Sequence, residues 1–281
     1  MPSYRTHFLE SRKDFVKFNG LSYIPPDMTH SRQILRQTLL KIRDLRRQGH
    51  STLVVYDLDS TLYNVSPRLE RILLDFALEK DHQQLFPEQI ALFKNIQTLR
   101  QDWGILNALR RAGLDEDHPE FQKAVHHYWH QQFFSNHYLK YDQPYEGAIE
   151  FVKLTHRTGA EIVYLTGRDQ SRMSQGTQES LKNWNFPLSE SEKAYLVLKP
   201  EKGMDDAEFK RDWFKQYLKT RQIHQQHVWF FENEPQNIDL VQRDFPEMNI
   251  IFLDTTHAGV LNAPENLPRI MDYLCDLHEE D

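Results

Sequence analysis

From Ser51 onward the chain keeps changing its period. Short apolar runs that read as buried strands alternate with stretches whose apolar residues return every three or four positions. The runs are Leu53-Val54-Val55-Tyr56, Glu161 to Leu165, Ala194 to Leu198, and those inside "HVWFFENEPQN" and "MNIIFLDTT". Strands that alternate with helices predict an α/β fold, with a Rossmann-like, doubly wound parallel sheet. No internal repeat or low-complexity tract competes with this pattern.

The alternation breaks once. After Leu62 strand signals vanish for about eighty residues, and only helical patterns remain. "SPRLERILLDFALEK" opens with Ser66 as a cap and Pro67 at the first helical position. "FPEQIALFKNIQTLRQDW" and "HPEFQKAVHHYWHQQFF" follow with apolar residues at three- and four-residue steps. The predicted organisation is therefore an N-terminal arm and helix over 1–50, a core from 51–63 and 142–281, and an inserted all-helical domain over 64–141. Within the first part, Ile34, Leu35, Leu39, Ile42 and Leu45 carry helical spacing, and Gly49 reads as the stop.

Bulk properties exclude several classes. The formal net charge of −7 and the lack of a long basic block argue against a nucleic-acid surface. No apolar run approaches the ~18 residues that span a bilayer. The start, "MPSYRTHFLESRKDF", lacks the apolar stretch of a secretory signal. Cys275 stands alone, which rules out a disulfide framework or a multi-cysteine metal site within one chain. These readings lead to the expectation of a soluble, cytoplasmic protein with neither nucleic acid nor membrane as partner.

The strand ends carry the chemistry. The first run delivers Asp57-x-Asp59-x-Thr61, the second Thr166-Gly167-Arg168, and the fourth Glu232-Asn233-Glu234; Lys210 lies on the helix before the last of these. Parallel strands would gather all of them on the carboxyl rim of the sheet, where α/β proteins bind ligands. Alternate residues of a strand share a face, so Asp57 and Asp59 fall side by side, and two like charges there need a cation or a proton. A nucleophile, an acid/base group, a hydroxyl, a cation and metal-binding oxygens form the inventory for phosphoryl transfer through an aspartyl-phosphate.

With "DLDST" as a first motif, "YLTGR" as a second, the Lys210 region as a third and "FFENEPQN" as a fourth, the chain resembles the haloacid dehalogenase superfamily of hydrolases. The likeness runs from about Ser51 to Asp254, and the helical insertion falls where that superfamily places a C1-type cap. The resemblance implies that Asp57 is the nucleophile and Asp59 the general acid and base. Thr166 and Gly167 would bind phosphate, joined by Lys210, which neutralises Asp57 and the transferring group. Mg²⁺ would be held by the Asp57 carboxylate, the Asp59 carbonyl and the Glu232 carboxylate. Dehalogenases lack an acid at the second position, so Asp59 favours a phosphatase. Nearby charge is expected to raise its pKa until it donates a proton at neutral pH.

Some positions leave a choice. Glu232 replaces the common Asp, and Asn233 stands where a second acid is usual, so Glu234 or Asn237 would supply that outer contact. Lys210 is preferred to Lys199 of "LKPEKG" as the third-motif lysine. Arg168 either contacts substrate or pairs with an acid such as Glu234. His126 and His130, one helical turn apart, suit a metal but read more simply as a solvated or cap-lining face; His257 has no motif behind it. Trp129, Phe133 and Phe134 read as cap core, and Tyr63 and Asn64 as a hinge within reach of the pocket. The expectation is a Mg²⁺-dependent phosphatase acting on a small-molecule phosphomonoester. A phosphoprotein phosphatase, a phosphotransferase, or a binding protein on a decayed hydrolase core stand as alternatives.

Overall fold

The computed structural model describes residues 17–18, 21–22, 26–114 and 118–275. Six strands form one parallel sheet: β1 (Leu53–Tyr56), β2 (Glu161–Asp169), β3 (Ala194–Lys199), β4 (Val228–Glu232), β5 (Asn249–Leu253) and β6 (Arg269–Ile270), in the order β6-β5-β4-β1-β2-β3. The helices of ten residues or more are α1 (Pro26–Arg47), α2 (Ser66–Leu78), α3 (Pro119–Phe133), α4 (Ala148–Arg157), α5 (Gln170–Asn183), α6 (Asp206–Arg221) and α7 (Pro235–Asp244). Chain order reverses at β1, which has β2 on one side and β4 on the other. That is the switch point at which a doubly wound sheet opens a crevice.

β1 is buried throughout, and its two-residue period sorts its side chains onto opposite faces. Val54 and Tyr56 join a core with Leu35, Leu39 and Ile42 of α1 and with Ala148, Phe151 and Val152 of α4. Leu53 and Val55 join the other, with Phe209, Phe214 and Leu218 of α6 and Ile238 and Val241 of α7. Helices on both faces explain why the strand reads as continuously apolar rather than alternating. Full burial of each such side chain is worth roughly 1.5–3 kcal/mol, so β1 holds its register firmly.

That register aims the site. Tyr56 lies opposite Tyr164 of β2 and Phe231 of β4, so Asp57 leaves the sheet one step later, level with Glu232. The Asp57 amide still donates to the Phe231 carbonyl at 3.0 Å, which ties the loop to the strand end.

The segment between β1 and α4 forms helices with a core of their own, including Leu69, Leu73 and Phe76 of α2, Leu109, and Phe121 and Val125 of α3. The chain enters and leaves it through a short antiparallel pair, Tyr63–Asn64 with Gln143–Pro144. Ser66 does not cap α2: it is the first helical residue, and its amide and hydroxyl both donate to Asn64 Oδ1, at 3.0 and 2.8 Å. β6 was not expected; two residues following Pro268 are too short a run to leave a periodic signal. The first sixteen residues of the N-terminal arm lie outside the described residues. Among the described residues no helix is long and apolar enough to cross a membrane.

Candidate active site

Lys210 organises the centre of the rim. Carried by α6 and only 1% exposed, it donates to Asp57 Oδ1 and to Glu232 Oε2, each at 2.6 Å. Burial pushes the Asp57 carboxyl up to about 7; Lys210 opposes the shift and the Glu232 charge adds to it. The two carboxylates outweigh desolvation at Lys210 and keep its ammonium charged. Lys199, the competing lysine, is engaged elsewhere: it donates to the carboxylate of Asp206 and, at 3.0 Å, to the Met204 carbonyl.

Asp59 belongs to a second, mostly buried set of charges. Its Oδ1 accepts from Arg68 at 2.7 Å and from Arg168 at 2.5 Å. Both arginines also pair with Asp142, Arg168 at 2.7 Å and Arg68 at 3.0 Å. Burial alone would raise the Asp59 carboxyl, but the Arg168 and Arg68 guanidiniums override it and hold the group well below the usual carboxylate range. The expected upward shift at Asp59 is thus reversed, because its close neighbours are two cations rather than another anion. At Asp142, deeper and shared, burial wins and pushes the carboxyl up to about 6. Arg168, expected to meet substrate or Glu234, spends its guanidinium on Asp59 and Asp142 instead.

Sequence reasoning missed Arg68 and Asp142. Arg68 left one usable mark, a charge four residues before Ile72 on the apolar face of α2. Asp142, just before the return strand of the neck, left none. Arg68 is fully buried, with its guanidinium carbon 4.0 Å from the centre of the Phe133 ring.

The β2 end supplies Thr166 and Gly167. Thr166 is buried, and its hydroxyl accepts the Arg168 amide at 3.2 Å. A Cβ at position 167 would meet the Asp206 carboxylate at the start of α6, whose side chain would have to turn aside. Beyond β4, Asn233 is held on both sides of its amide, accepting from Thr61 at 2.9 Å and donating to the Thr256 carbonyl at 2.6 Å.

The strand-end groups and Lys210 line one cavity of about 480 Å³, whereas Arg68 and Asp142 stand behind its wall. Asp57, Asp59, Thr166, Gly167, Arg168, Lys210 and Glu232 form its core side. Trp129, Phe133 and Phe134, expected inside the cap, line the opposite wall and are only half-buried. Tyr63 and Asn64 do not line it: Tyr63 packs edge-on against Phe186, and Asn64 is taken up by Ser66. His126 and His130 pack beside Trp129 and Phe134.

Whether a divalent cation fits depends on which oxygens are spare. Glu232 Oε1 accepts the amides of Asn233 and Glu234, each at 3.0 Å, while Oε2 accepts Lys210 at 2.6 Å and Asn237 Nδ2 at 3.1 Å. Two bonds at each oxygen use the whole acceptor capacity of a carboxylate. Glu232, expected to be a metal ligand, serves here as the anchor of Lys210. Two residues on, Glu234 accepts the Ala258 amide at 2.9 Å through Oε2, while its Oε1 is buried with no hydrogen-bond partner. Glu234 also lines the cavity, and burial pushes its carboxyl up. Among the described residues no three His, Cys, Asp or Glu side chains stand together as a metal cluster. The spare Glu234 oxygen and the Asp57 carboxylate line the same cavity, and oxygen donors of this kind are the chemistry a small hard cation takes.

No family model and no curated protein matches the sequence. Among solved structures it is similar to a haloacid dehalogenase superfamily hydrolase from Ehrlichia chaffeensis, with a TM-score of 0.46 and 12% identity, covering 80% of this chain and 93% of that one. It is also similar to a subfamily IA hydrolase of that superfamily from Geobacter sulfurreducens (TM-score 0.45, 11% identity, 79% and 93% covered). A third is described as a predicted phosphoglycolate phosphatase from Haemophilus somnus (TM-score 0.46, 14% identity, 79% and 95% covered).

Proposed function

We propose that this chain is a hydrolase of the haloacid dehalogenase type that cleaves phosphomonoesters through an aspartyl-phosphate on Asp57. The observation that carries the reading is the buried ammonium of Lys210 bridging Asp57 and Glu232, at 2.6 Å from each, beside Thr166 and Gly167 on the wall of one cavity. A carboxylate with a raised pKa is a stronger nucleophile once ionised, and Lys210 meets the charge that builds on the phosphoryl oxygens.

In the first step an Asp57 oxygen bonds to phosphorus, the bond from phosphorus to the ester oxygen breaks, and the leaving oxygen takes a proton from the Asp59 carboxyl. Thr166 and the Gly167 amide steady the phosphoryl oxygens. In the second step water attacks phosphorus, the bond to Asp57 breaks, and inorganic phosphate leaves. Asp59 takes the proton of that water. For Asp59 to give a proton to the leaving oxygen, one of its bonds to Arg68 or Arg168 must first open. A magnesium ion, held by Asp57, the Asp59 carbonyl and Glu234, would supply positive charge where a phosphate dianion meets an anionic nucleophile.

Closure of the helical cap over the cavity would keep water from the reacting centre, which suits a small-molecule ester better than a phosphoprotein. Turnover of phenyl phosphate with added Mg²⁺, abolished by EDTA and by Asp57→Asn, is the expected result. A well-folded protein that never turns over any phosphomonoester would favour the binding-protein reading, for which the saturated Glu232 and the neutral Asn233 are the motive.

A further inference from the structure

Two kinds of wall face each other across the cavity. Its core side carries the charges. The side contributed by the helical insertion is made of Trp103, Trp129, Phe133 and Phe134, backed by Val65 and Leu69. Trp129 and Phe133 are four residues apart on α3, so their rings share a face, with centroids 5.7 Å apart; Phe133 and Phe134 follow at 5.0 Å. Trp103 is 55% exposed although it is among the largest apolar side chains. Such exposed aromatic surface is unfavourable unless something occupies the space.

The same wall offers nothing to a charged substrate tail. Its one ionised lining group, Asp102, is 3% exposed, paired with Arg111 and bonded to the Leu99 amide at 2.7 Å. Arg68, directly behind Phe133, is committed to Asp59 and Asp142. No cation on the insertion side of the cavity, among the described residues, is placed to receive a carboxylate or a second phosphate.

We infer that the leaving group held by this pocket is a flat, uncharged ring, so that the substrate class is the aryl and arylalkyl phosphomonoesters. The inference rests on the phosphatase reading for the ester and on the Trp103–Trp129–Phe133–Phe134 wall for the ring. A ring laid against these side chains gains both burial and offset or edge-on aromatic contact, while the phosphoryl group stays beside Lys210 and Thr166.

Aryl esters also react faster for chemical reasons, so binding must be read without turnover. Calorimetric titration of the full-length protein with benzylphosphonate and with propylphosphonate compares a ring with a chain on the same non-hydrolysable headgroup. Benzylphosphonate should bind at least about tenfold more tightly, the order of one good aromatic contact. Trp129→Ala should erase most of that ratio and leave propylphosphonate affinity unchanged. Trp129→Phe, which keeps a ring at the same place, should retain part of it and guards against a misfolded alanine variant. Equal affinities for the two phosphonates, or a preference that survives in Trp129→Ala, would overturn the inference even if the protein hydrolyses phosphomonoesters. A ring preference lost in Trp129→Ala, with no ester turned over, would uphold the ring site and remove the hydrolase reading instead.

Discussion

Arg68, on the first long helix of the insertion, holds the Asp59 carboxylate of the core at 2.7 Å. One bond thereby links the insertion that lines one wall of the cavity to the residue proposed to move the proton. Arg168 and Asp142 complete the set, and three of its four members are at most 2% exposed. Charges removed from water this far are costly unless each finds its counter-charge, and here two arginines answer two aspartates.

Removing one arginine should therefore be expensive. Arg68→Ala leaves Asp59 and Asp142 sharing Arg168 alone, and losing one partner of a buried pair typically costs roughly 3–5 kcal/mol. Urea unfolding should register a loss of that order. If the variant folds, the Asp59 carboxyl should rise toward its ordinary range, and the protein should gain on substrates whose leaving oxygen needs a proton. A stability change within a few tenths of a kcal/mol would show that the network does not brace the neck.

The division into a sheet and an insertion was legible in the sequence because each depends on a local period. Leu53 to Tyr56 announces a doubly covered strand by itself, and the helical run around Leu69, Leu73 and Phe76 announces its own core. Lys210 was legible through Phe209 and the helix that carries both. What could not be read was pairing across distance. Nothing near Asp142 signals that two arginines, 74 and 26 positions away, will converge on it. The direction of the Asp59 shift was lost for the same reason, since it depends on which charges the fold brings close. Phe133 and Phe134 misled differently: an aromatic in a helical pattern reads alike whether it faces a core or a cavity.

Asp57 gives the protein a pH signature. Its folded carboxyl lies at about 7, above the ordinary 3.8. The folded state therefore holds this proton more tightly than the unfolded chain does. By linkage, the stability that this group contributes is present at acid pH and declines as pH rises between roughly 4 and 7. In metal-free protein Asp57→Asn should remove that decline, so its urea midpoint should gain on the wild type as pH increases through this window. An unchanged difference between the two proteins from acid to neutral pH would contradict the shift.

The metal assignment separates two neighbouring glutamates. Glu234→Gln should weaken Mg²⁺ binding at least about tenfold in substrate-free calorimetry, since a neutral amide oxygen is a poorer ligand for a hard cation. Glu232→Gln removes the anchor of Lys210, so it should lower stability and shift the Asp57 titration downward while keeping most of the Mg²⁺ affinity. The reverse pattern, with affinity lost in Glu232→Gln and kept in Glu234→Gln, would return the metal to Glu232 and require Lys210 to swing away.

The two aspartates that follow the first strand are proposed to divide the labour of the reaction. Asp57→Asn removes the attacking oxygen, so no phosphoenzyme forms and turnover of every ester should vanish. Asp59→Asn keeps the nucleophile but removes the group that accepts the proton of water. With phenyl phosphate, whose leaving oxygen needs little protonation, Asp57 should still be phosphorylated and hydrolysis should lag, since general acid–base help is typically worth ~10²–10⁴-fold. The phosphoenzyme should then accumulate as about 80 daltons of added mass in an intact spectrum, the weight of one phosphoryl group on the covalent nucleophile. Because the variant also strips Arg68 and Arg168 of a partner, its unfolding curve must be taken at the same temperature. A folded Asp59→Asn protein that turns over at the wild-type rate, or an adduct mapped to any residue other than Asp57, would end the two-step assignment.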